Sequence, residues 1–86
     1  MPRYFFDTRD GACFARDDTG LECACIDGAR DAATGGLADM ARDAIPGKTR
    51  RELAVEVRDE DDCQVLRASL WFEVQVLAEQ RRAGFL

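Results

Sequence analysis

Residues 26–45 carry an apolar stripe made mostly of small side chains, and that stripe narrows what the chain can become. Ile26, Ala29, Ala33, Leu37, Met40 and Ala44 recur at spacings of three and four, which predicts a helix. Asp27, Arg30, Asp31, Asp39 and Asp43 mostly take the other positions. An alanine-rich face has little reach, so the helix must lie close to whatever it covers. Gly35 and Gly36 fall in mid-helix, each costing about 1 kcal/mol relative to alanine. They either permit a close approach or mark a break. Pro46-Gly47 ends the helix.

The flanking segments supply the covered layer. Residues 3–9 read as a strand, with Tyr4, Phe6 and Thr8 on one face and Phe5, Asp7 and Arg9 on the other. Asp10-Gly11 is a tight-turn signal, and residues 12–16 form the returning strand. Asp17-Asp18-Thr19-Gly20 is a second turn, after which Leu21, Glu22 and Cys23 extend or leave the strand. Residues 51–58 are the clearest strand: Leu53, Val55 and Val57 alternate with Glu52, Glu56 and Arg58, one face buried and one wet. Asp59-Glu60-Asp61-Asp62 turns the chain into a partner strand over 64–70. Beyond Leu70 two periods compete; the helix formers Glu79–Ala83 favour a short terminal helix near 72–82. The expected fold is α+β in one domain over 1–86: strand–strand–helix–strand–strand, an antiparallel four-stranded sheet with one helix on one face.

Size and charge bound the function. A domain of 86 residues has a thin stability margin. Its net charge of −5 repels phosphates, so nucleic acid is not an expected partner. The basic cluster Lys48, Arg50 and Arg51 is short and reads as a solvated loop. No apolar run approaches the roughly 20 residues needed to cross a bilayer, so no membrane is expected. Arg3, Asp7, Arg9 and Asp10 interrupt the opening residues, which lack a signal-peptide pattern. The expected compartment is the cytoplasm, with the thiols reduced.

The opening Met1-Pro2-Arg3-Tyr4-Phe5-Phe6 is followed by Asp10-Gly11, then Arg16-Asp17 with Gly20 and Glu22. This resembles the start of a family of short alphaproteobacterial proteins known as a domain of unknown function. Ala29-Arg30 and Val57-Arg58-Asp59-Glu60 are similar to its helix and to the end of a later strand. The resemblance covers residues 1–66 or so and implies no activity. Ala24-Cys25 stands where family members often have Pro-Asp, and Trp71-Phe72 with a longer tail stands where they tend to end in Pro-Phe.

Candidate chemistry is sparse. Cys13, Cys23, Cys25 and Cys63 are the thiols, and there is no histidine. Structural zinc sites use two close ligand pairs, and only Cys23 and Cys25 are close. Across the first hairpin Cys13 can approach Cys23, which keeps a thiolate metal site or a redox-responsive protein as the alternative reading. Small, half-buried cysteines are the plainer account. Asp59–Asp62 lacks the ligand pattern of a calcium loop and reads as a solvated turn. Asp7, Asp10, Asp17 and Asp18 would need burial to serve as acid–base pairs. Ser69 is the only serine and Lys48 the only lysine, so the common nucleophile–base pairs are missing. No enzyme activity and no cofactor are expected.

What remains is apolar surface. One helix covers one face of a sheet. Tyr4, Phe6, Phe14, Trp71 and Phe72 are the candidates for an exposed aromatic patch, and such a patch marks an interface. The leading expectation is a protein-interaction or regulatory module, binding a protein partner or a second copy through the free sheet face or an exposed strand edge.

Overall fold

The computed structural model describes residues 1–78. The elements are β1 (Arg3–Asp10), β2 (Cys13–Ala15), β3 (Leu21–Glu22), α1 (Ile26–Ala44), β4 (Arg50–Arg58) and β5 (Gln64–Glu73). They form one five-stranded sheet in the spatial order β2-β1-β4-β5, with β3 on the same side of β1 as β2. Every strand pairing is antiparallel. The α+β class, the single helix and the antiparallel sheet agree with the sequence reading.

Two details of that reading are corrected. The chain does not stop at a second strand: after the turn at 17–20 it returns to β1 as a separate strand, placing Glu22 opposite Arg3 and Leu21 opposite Tyr4. The sheet therefore has five strands where four were expected. At the other end β5 continues through Trp71, Phe72 and Glu73, paired with Glu52, Arg51 and Arg50. Cross-strand pairing to β4 outweighs the helical spacing of Trp71 and Val74. Residues 74–77 have no regular structure, and 79–82 of the expected terminal helix lie outside the described residues.

The helix covers one face. Ala29, Ala33, Val55, Val57 and Cys23 are buried together, with Tyr4, Phe6, Leu37, Met40, Leu66 and Ala68 packed around them. Register explains the sheet side of this core: Phe6, Val57 and Leu66 share one cross-strand row, and Thr8, Val55 and Ala68 the next. Ile26, first in the helical stripe, stays exposed. Cys25 is the N-cap residue and makes no side-chain cap bond, so the first-turn N–H groups lack the partner that aspartate supplies.

The mid-helix glycines neither break α1 nor admit a close neighbour. The helix runs through them, and a methyl group at Gly35 or Gly36 would meet nothing within 4 Å. Gly35→Ala is therefore expected to raise stability by about 1 kcal/mol, read from urea unfolding. A loss instead would mean that this side of the helix is covered.

Candidate interaction surface

The face away from the helix is set by the same alternation. Phe5, Asp7 and Arg9 of β1, Phe14 of β2, Glu52, Ala54, Glu56 and Arg58 of β4, and Arg67, Ser69 and Trp71 of β5 share it. It is a charged face interleaved with aromatic rings. One Glu56 carboxylate oxygen accepts from Arg9 Nε at 2.9 Å and from Arg67 Nε at 3.1 Å. Arg9 also lies 4.5 Å from the Phe14 ring centre, and Arg58 lies 4.6 Å from that of Phe5. Both contacts join residues directly opposite each other across a strand pair, Arg9 with Phe14 and Phe5 with Arg58. A guanidinium over a ring keeps its charge partly wet while covering apolar surface.

Arg58 is the hub of a clasp. Its Nε donates to Asp7 Oδ2 at 3.0 Å, Nη1 to Asp62 Oδ1 at 3.0 Å and Nη2 to the Asp17 carbonyl at 2.6 Å. Asp7 is buried, and its second oxygen accepts the Asp17 N–H at 2.9 Å. The Arg58 pKa is raised, chiefly by its hydrogen bond to Asp7, against the opposing effect of burial. Asp17 in turn accepts from the N–H groups of Phe6, Thr19 and Gly20. Burial pushes the Asp17 carboxyl up, but these three donors and the Arg58 charge together hold it below its ordinary value.

The clasp fills a gap beside β1, between the short edge strands β2 and β3. Between β3 and β2 the side of β1 has no strand partner at Phe6, and the Asp17 carboxylate takes that amide instead. Loop cover of this kind blocks pairing with another chain. The opposite edge is different. Along the outer side of β5 no strand pairs among the described residues. Val74 donates its N–H inward to the Thr49 carbonyl at 2.8 Å. By alternation the amides of Arg67, Ser69, Trp71 and Glu73 point outward. The strand is ten residues long, contains no proline, and its single cation is Arg67. Val65 and Trp71 of β5, and Val74, Val76 and Leu77 just beyond its end, are exposed, with Trp71 at 64 %.

The residues expected at an interface divide between the two faces. Tyr4 and Phe6 pack half-buried against the core, and Phe72 lies on the same side, half-buried. Phe14 and Trp71 are exposed on the charged face. A depression of about 150 Å³ separates Arg9, Arg67 and Trp71 over Ala54 and Ser69. Glu56 already engages both arginines there.

The thiols are dispersed. Cys13 stands opposite Asp10 at one end of β1, while Cys23 donates its N–H to Pro2 at the other, about 25 Å away at the rise of a strand. The approach of Cys13 to Cys23 imagined from the hairpin fails because β3 pairs with the start of β1, not its end. Cys25 and Cys63 are exposed, and all four thiols are free. Among the described residues no group of three or more candidate ligands gathers around a common point. No helix is long and apolar enough to cross a membrane. Sequence reading did not single out Arg58, and it treated Asp7 and Asp17 as solvent-facing. The available signal was charge alternation, Phe5-Asp7-Arg9 against Glu56 and Arg58, and it becomes a pairing only once the register is known.

A single helix on an antiparallel sheet, with a clasped gap beside β1 and, among the described residues, an unpaired outer side of β5, defines a small α+β domain. The chain belongs to the family of the domain of unknown function DUF6894, whose model matches residues 3–71. That match takes in the whole clasp and most of β5. No curated protein and no solved structure matches the chain.

Proposed function

We propose that the protein is an interaction module of the bacterial cytoplasm, without catalytic activity of its own, that accepts a partner strand along the outer edge of β5. The carrying observation is the contrast between the two edges. A fold that covers the gap at Phe6 with the Asp17 carboxylate leaves the ten residues of β5 without an outer partner among the described residues. Natural sheets blunt such edges with prolines, several charges or loop cover unless something pairs there. A net charge of −5 argues against nucleic acid as the partner, and the free thiols fit a reducing compartment.

A pull-down from the native host with three baits tests the reading. Ser69 lies opposite Ala54 with its amide turned outward, so Ser69→Pro removes an edge donor without breaking the β4–β5 ladder. Proteins held by the wild-type bait should be lost with Ser69→Pro and kept with Phe14→Ala. Loss with Phe14→Ala alone would move the site to the charged face and overturn the edge.

A further inference from the structure

Resting on that reading, we infer that the strand docking on β5 is the β5 of a second copy, antiparallel and centred on Ser69. The edge is complementary to itself in this register. A two-fold axis must bring together residues whose amides both point outward or both point inward, which restricts the axis to a few residues of β5. Centred on Ser69, the outward set pairs Ser69 with Ser69 and Arg67 with Trp71 of the second copy. On the helix side Ala68 meets Leu70 and Leu66 meets Phe72, so apolar residues face apolar residues. This register overlaps nearly the full length of the ten-residue strand.

The Arg67–Trp71 pair is what singles it out. The charged face already holds Arg9 over Phe14 and Arg58 over Phe5, each a directly opposed arginine–aromatic pair. Arg67 is held in place by Glu56 yet half-exposed, and Trp71 is the most exposed aromatic among the described residues. Among the described residues of one chain these two have no such partner. A second copy gives each of them the contact that its neighbours on this face already make, twice over by symmetry. Arg67 centred on itself would instead set like charges face to face, which disfavours that alternative.

Sedimentation equilibrium of the full chain across the micromolar range should give twice the 9.6 kDa chain mass, falling to the chain mass with Ser69→Pro. The register is read separately by cross-linking. In a background with Cys13, Cys25 and Cys63 changed to serine, Ser69→Cys should form a covalent dimer on mild oxidation. Opposed residues of a hydrogen-bonded pair lie about 5.5 Å apart at Cα, within disulfide reach. Arg67→Cys and Trp71→Cys should cross-link to each other and not to themselves. The chain mass at every wild-type concentration overturns self-pairing; if the native-host pull-down still depends on Ser69, the edge reading survives it. A dimer that persists in Ser69→Pro, or self-cross-linking of Arg67→Cys, also overturns the inference.

Discussion

Asp7→Ala should cost about 3 kcal/mol of folding stability, a large share of what a domain of this size holds. Asp7 is 6 % exposed, and its carboxylate takes two hydrogen bonds, one from the Arg58 guanidinium and one from the Asp17 amide. Deleting it strands the part-buried Asp17 N–H and leaves the Arg58 Nε without its carboxylate partner. Because Arg58 keeps Asp62 and the Asp17 carbonyl, the loss belongs at the low end of the range of about 3–5 kcal/mol for breaking a buried pair. Arg9→Ala is the control on the same face. Its pair with Glu56 is solvent-screened, and Glu56 keeps Arg67, so the expected cost is below about 1 kcal/mol. Urea unfolding of both variants decides it. Equal losses would mean that burial at Asp7 contributes nothing and that the clasp is surface decoration.

Much of the architecture is legible in the residues because one periodicity holds at each place. Leu53, Val55 and Val57 alternate against charged neighbours, and the small stripe of α1 has only one surface shallow enough to cover. Two periodicities compete after Leu70, where Trp71 and Val74 fit a helix as well as Phe72 and Val74 fit a strand. The ladder to Glu52, Arg51 and Arg50 settles it, and that ladder is a long-range fact. The site was harder to read for the same reason. Asp7 and Arg58 stand far apart in sequence and meet on one face only after β1 and β4 are set in register. Asp17 sits in a turn, where carboxylates are usually wet; it is held because β1 has a vacant amide at Phe6.

The clasp also bears on how many copies assemble. Pairing of β5 with itself closes on a two-fold axis and consumes the open edge of both chains. With β1 covered at Phe6 by Asp17, the other edge of each chain offers only the three-residue β2 and the two-residue β3, too short for a ladder to continue readily. Loss of Asp7 therefore threatens more than stability: a freed loop uncovers that edge.

Gly20→Ala is expected to cost about 2–3 kcal/mol, well beyond the change at an unconstrained turn glycine. Gly20 adopts φ +76°, where a side chain is strained by about 1–2 kcal/mol. A Cβ there would also stand 2.9 Å from the Tyr4 carbonyl oxygen, the Phe5 ring and the Arg3 side chain. Arg3 can swing away. The Tyr4 carbonyl belongs to β1, between its pairings to β3 and β4, and cannot move without pulling on the sheet. The alternative is that the loop retreats, which takes the Gly20 amide off Asp17 and loosens the group that caps Phe6. Gly11→Ala separates the two costs, since Gly11 has φ +61° with nothing within 4 Å of its Cβ position. It should lose only the conformational part, about 1–2 kcal/mol. If chemical denaturation shows the two alanines equally harmful, the loop yields freely at Gly20, and the close seating of residues 17–20 on β1 is not what holds that edge shut.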